Sequence, residues 1–180
     1  MDALRILSEI RKRECIILGL YKSLALESDG VAATMLNISF EMVKQLKSAP
    51  AELSDNLLCS FSANTSTLFA LAIKEVSAPS EQQELKEIDC LLVKQIRAEE
   101  RKIMLELRDI CINFPSIAAG CCAMTHQQID SLVACSASDV LEFCFQAKSP
   151  ILKLRFSKEK GFGELIKIGS KPCFGTLGLL

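Results

Sequence analysis

Residues 6–11 (ILSEIR) recur at 92–97 (LVKQIR), and the match continues in register at an offset of 86. Ala32 and Ala33 fall on Ala118 and Ala119, Ser39 on Thr125, Val43 on Ile129 and Leu46 on Leu132. After a two-residue deletion the correspondence resumes at an offset of 84: Ser54, Asp55 and Leu57 lie over Ser138, Asp139 and Leu141, Phe61 over Phe145, and Leu68 over Leu152. Chance can supply any one of these matches, but their order along the chain points to two diverged copies of a unit of roughly 80 residues. A unit of that size has a marginal core by itself. The copies are therefore expected to bury a shared face against each other.

Within each copy the apolar spacing predicts a long helix, a short alanine-rich helix, two short capped helices and a strand. The first long helix covers about residues 2–26, with Leu7, Ile10, Ile17, Tyr21 and Leu24 on one face. In the second, Leu85, Ile88, Leu92, Ile96, Ile103, Leu107, Ile110 and Phe114 form one stripe. Pro79, Ser80 and Gln83 supply a stop, an N-cap and a capping-box partner for its start. Ser39 begins a helix in copy one, and Thr125 with Gln128 begins its equivalent in copy two. Ser54-Asp55 and Ser138-Asp139 are read as the next N-caps. Residues 68–71 and 151–156 are extended, the latter alternating as a strand with one wet face does. The expected fold is mostly α, two tandem helical repeats packed as a pseudo-dimer with a short β or irregular C-terminal tail. Repeat one occupies 1–75, a linker 76–84, repeat two 85–156, and a basic tail 157–180, where Leu165, Ile166 and Ile168 suggest a further strand.

A hydrophobic content of 49% with 24% charged residues is ordinary globular composition. No apolar run approaches the roughly 18 residues of a membrane span, and the N-terminus does not resemble a signal peptide, so a cytoplasmic location is expected. Nine scattered cysteines do not form a secreted disulfide framework. No C-x-x-C occurs, and His126 is the only histidine, so neither a metal site nor any other cofactor is expected. Cys121 and Cys122 follow small residues and read as core packing, although a redox role for the pair stays open. His126 sits in the first turn of a capped helix with no acidic partner in the pattern, and no catalytic constellation emerges. Glu99, Glu100, Arg101 and Lys102 are expected to form a solvated helix face. From Lys148 onward the chain carries a net charge of +5, against −6 for the first 147 residues. Such a tail suits an acidic partner.

Segments 36–46 (LNISFEMVKQL) and 124–156 (MTHQQIDSLVACSASDVLEFCFQAKSPILKLRF) carry a family likeness. The chain resembles the D subunit of the bacterial flagellar master transcription activator. In copy one Leu36, Asn37, Ile38, Ser39, Glu41, Met42 and Leu46 fit that family's pattern; in copy two Leu132, Ala134, Arg155 and Phe156 fit it. The resemblance implies a non-enzymatic regulator that pairs with a C-type subunit, binds promoter DNA and recruits RNA polymerase. The family's subunit acts as a homodimer, so a tandem chain is expected to be its covalent equivalent, with self-association of the whole chain left open. The family also carries a helical extension beyond the strand, from which the glycine-rich tail departs. Lys153, Arg155, Lys158, Lys160 and Lys167 are the expected phosphate contacts, with sequence specificity supplied by the partner. The alternative is a helical chaperone or adaptor that binds a protein partner in a secretion or assembly system. The two readings divide on the tail, since an adaptor does not require a basic one.

Overall fold

The computed structural model describes residues 2–60, 66–73, 90–147, 150–156 and 158–171. Helices dominate, as the periodicity predicts. The first is α1 (Ala3–Glu27), opened by Asp2, whose side chain accepts from Leu4 N, and closed at Ser28. Ser28 then caps α2 (Asp29–Leu36) by accepting from Val31 N. Two more helices, α3 (Phe40–Ser48) and α4 (Leu53–Ser60), lead to the strand β1 (Phe69–Leu71). The same order follows in α5 (Leu91–Asn113), α6 (Pro115–Cys121), α7 (His126–Ala134), α8 (Ala137–Gln146) and β2 (Leu152–Leu154). A final helix, α9 (Glu159–Gly169), closes the described chain.

Helix boundaries follow the offsets read from the sequence. Both ends of α3 and α7 lie 86 residues apart, as do the C-termini of α1 and α5, and α4 and α8 begin 84 apart. Ser39 caps α3 by accepting from Met42 N, and Thr125 and Gln128 form a complete capping box on α7, as expected. Two residues other than glycine take a left-handed backbone among the described residues, Asn37 (φ 53°) and Ala123 (φ 52°). They occupy equivalent positions 86 apart, each between the second and third helix of its copy. Asparagine tolerates that conformation, whereas in alanine it crowds the Cβ.

Three details depart from the sequence reading. Ser138 lies inside α8, because Ser136 is the N-cap and Asp139 its capping-box partner; Ser54 likewise lies inside α4. The strands align at an offset of 83, one residue from that inferred, so Leu68 corresponds to Ile151. The tail is the largest correction: residues 159–169 form a helix, not a strand or irregular segment. Gly161 and Gly163 weaken its propensity, but Phe162 and Leu165 stand one turn apart and are buried against the protein. Tertiary burial overrides a weak local preference. The expected start of the second long helix at Ser80, with Leu85 and Ile88, lies outside the described residues.

Helices α1 and α5 run antiparallel at the centre. Glu27 meets Cys90 near one end, while Arg13 bonds Glu106 at 2.7 Å and Glu99 at 3.1 Å toward the other. Arg13 and Glu99 are themselves equivalent residues, facing each other across the helix pair. Ile10, Leu18, Tyr21, Ile96, Ile103 and Ile110 fill the centre between the outer helices. The antiparallel ladder pairs Phe69 with Leu154, Ala70 with Lys153 and Leu71 with Leu152. Beyond it Ala72 N donates to Ile151 O (2.8 Å) and Arg155 N to Leu68 O (3.0 Å). Each bond becomes the other when the two copies are exchanged. In cross-section the third and fourth helices of each copy pack outside this centre, and α9 lies over α3 and α4.

Candidate functional site

A helix glutamate fastens each strand to the core. The carboxylate of Glu14 accepts from Leu68 N and Phe69 N, both at 2.9 Å, one to each oxygen. Its equivalent on α5, Glu100, accepts from Leu152 N at 3.3 Å and from Ile151 N. Arg97 Nη1 donates to Glu100 at 2.9 Å. Both glutamates are buried, so the expectation of a solvated face at Glu99–Lys102 fails at Glu100. The backbone of a strand starting against a helix needs acceptors there, which a carboxylate supplies. Burial raises the carboxyl of Glu14 to about 7, against the pull of the two backbone donors and of Arg11 and Arg155. Burial likewise raises Glu100, opposed by Arg97. Hydropathy periodicity missed both groups. The signal available in the sequence is Arg-x-x-Glu at 11–14 and again at 97–100.

The five basic residues expected at phosphates are divided between β2 with the residue after it and α9 with its N-cap. Lys153 is exposed in the middle of β2, between the buried Leu152 and Leu154. Arg155 is half-buried and turned inward, where its Nη1 donates to Thr67 O (3.1 Å) and Cys121 O (3.2 Å). It ties the loop before β1 to the end of α6. Lys158 is the N-cap residue of α9, while Lys160 and Lys167 share that helix's outer face with Glu164. Lys167 Nζ bonds Glu164 at 2.8 Å. That bond first, then the charges of Lys167, Lys160 and Lys171, hold the Glu164 carboxyl below its usual range. Lys171, not singled out in the sequence, thus joins Lys160 and Lys167 in a basic stripe.

The α7–α8 side has the opposite character. Residues 125–147 contain Asp130, Asp139 and Glu142 and no lysine or arginine. Val133 and Phe145 are exposed there, and Phe145 is 69% accessible with the Arg101 guanidinium 4.6 Å from its ring centre. His126 is exposed in the first turn of α7.

Eight cysteines among the described residues are free thiols. Burial pushes Cys15, Cys111, Cys122 and Cys144 up to about 12, far from a reactive thiolate. No group of three or more metal-ligating side chains comes together, and no helix is long and apolar enough to cross a membrane, among the described residues. No protein-family model, no curated protein and no solved structure matches the chain.

Proposed function

We propose that this protein is a non-enzymatic, D-like subunit of a transcription-activating complex, in which one tandem chain takes the place of a D homodimer. The observation that carries the reading is the exchange symmetry of the centre. Two D-like units meet through antiparallel long helices, a shared ladder and a glutamate in each copy that holds its own strand. Covalent linkage sets their effective concentration independently of expression level. The family resemblance supplies the rest: a C-type partner, promoter DNA and recruitment of RNA polymerase in the cytoplasm. That α9 is a helix supports the reading, since the resemblance implies a helical extension beyond the strand.

In this reading Lys153, Lys158, Lys160 and Lys167 make phosphate contacts and the C-type partner reads the bases. Arg155 is withdrawn from that set because it is half-buried and its Nη1 is engaged internally. The test is DNA binding by the complex with the C-type subunit, measured across a salt series. Changing the four lysines to glutamine is expected to weaken binding and to flatten the salt dependence by about 0.9 in log–log slope for each phosphate no longer neutralised. Unchanged affinity and slope would remove the lysines from the interface. Failure of the complex to bind DNA at all would remove the transcription reading.

A specific observation favours the second reading, an adaptor or chaperone for a protein partner. The α7–α8 side exposes Val133 and Phe145, which suits a polypeptide partner.

A further inference from the structure

Arg13 and Glu99 hold the same place in the two copies, so in a pair of identical copies that residue would face itself. In this chain it carries opposite signs. Arg13 Nη1 donates to Glu99 Oε2 at 3.1 Å, and its Nε donates to Glu106 Oε1 at 2.7 Å. The counterpart of Glu106 in copy one is the uncharged Leu20. All three charged side chains are largely covered, at 26%, 14% and 18% exposure, so screening between them is limited. The apolar centre separates the copies less sharply. Ile10 and Ile17 recur as Ile96 and Ile103, Leu18 and Leu24 as Met104 and Ile110, and Tyr21 against Leu107 is a change of size without charge.

We infer that Arg13, set against Glu99 and Glu106, is a pairing key that lets the central face of copy one accept only a copy-two face. Similar apolar faces do not by themselves forbid the pairing of like with like. A chain built that way could join copy one to copy one of a second chain and copy two to copy two of a third, an arrangement that does not close. Like pairing of copy one would set Arg13 against another Arg13, with Leu20 in place of each carboxylate. Like pairing of copy two would set Glu99 and Glu106 of one chain against the same two residues of another. Each Glu99 would keep Lys102, which bonds it at 2.6 Å, but Glu106 would lose the arginine that opposes the effect of its burial. A covered charge deprived of its partner is costly, so both like pairings are rejected. Covalent linkage keeps the correct face near, and the charges exclude the wrong one. The partner this surface fits is therefore copy two, of the same chain or by exchange of another, whatever the complex does.

The test uses two full-length charge reversals, Arg13→Glu and Glu99→Arg. Each alone opposes like charges at positions 13 and 99 of its own chain. When the two chains exchange halves, both contacts between positions 13 and 99 join opposite charges, and the charges facing Glu106 are the same in sum. The variants are unfolded in urea and refolded, separately and mixed, at concentrations approaching the roughly millimolar effective concentration of a linked partner, then sized by light scattering. The mixture is expected to contain at least about tenfold more two-chain particle than either variant alone. A mixture of the neutral variants Arg13→Gln and Glu99→Gln is expected to show no such gain. A reversal mixture with no more two-chain particle than its components, or a neutral mixture that gains as much, would overturn the inference. Should either reversal fail to fold alone, the mixture still decides, since it either recovers a folded two-chain particle or does not.

Discussion

Replacing Glu14 with glutamine keeps the shape of the side chain and removes its ability to titrate. In the folded protein the carboxyl titrates near 7, against an ordinary value of 4.5. The native state therefore holds a proton that the unfolded state has released between those two values. Stability from this group is fully present below about pH 4.5 and falls as pH rises to about 7, after which it is constant. At roughly 1.4 kcal/mol for each unit, the loss across the window is about 3 kcal/mol. For a chain of this length that corresponds to roughly 6–12 °C in Tm. The glutamine amide can accept only one of the two donors, Leu68 N and Phe69 N, and turns its NH2 toward the other. The variant is thus destabilised by about 1–3 kcal/mol for that mismatch alone. Urea unfolding followed by circular dichroism at pH 5, 6, 7 and 8 separates the effects. Glu100 is raised by the same cause and stays in both proteins, so the difference between their profiles isolates Glu14. The parent's advantage is expected to fall by roughly 2–3 kcal/mol from pH 5 to pH 8, which brings the variant level with or above it at the upper end. Parallel profiles would refute the placement of a protonated carboxyl at the head of β1.

Four further changes probe the fold. Ala123→Gly relieves a left-handed alanine and is expected to raise stability by about 1 kcal/mol in urea unfolding, where a loss would mean that the Cβ is needed for packing. Gly169→Ala drives a Cβ into Leu53 and Leu57 and is expected to cost about 1–3 kcal/mol and to expose α9 to proteolysis before the rest of the chain. Arg155→Gln strands the Thr67 carbonyl, while Cys121 O keeps Thr67 N and Oγ1 as donors, and is expected to lower stability by about 1–3 kcal/mol. Lys160→Gln, on the solvent side of α9, is expected to change it by less than about 0.5 kcal/mol.

Much of this architecture can be read from spacing. Matched offsets placed α3 and α7 because that pair shares cap chemistry and an apolar face, at Ser39 and Thr125. The strand at 152–154 was visible in its alternation, since Lys153 alone faces water. What escaped the sequence depends on the meeting of distant residues. Periodicity reads Glu100 as solvated because three charged neighbours surround it, yet the strand backbone brought against it by the fold requires an acceptor. Arg155 reads as a free cation until the loop carbonyls of Thr67 and Cys121 are placed beside it. The α9 helix was hidden because its glycines signal turns, and only the presence of Leu53 and Leu57 explains why a helix with Gly169 at its end is stable there.

The central claim, that one chain stands in for a D dimer, is tested most directly by the mass of its complex. Co-expression with a C-type subunit, followed by size-exclusion chromatography with light scattering, is expected to give a stable assembly. In it, one 19.8-kDa chain should occupy each place that two D subunits would fill. A chain that elutes alone in the presence of that subunit, or that fills each such place with two copies, would contradict the account.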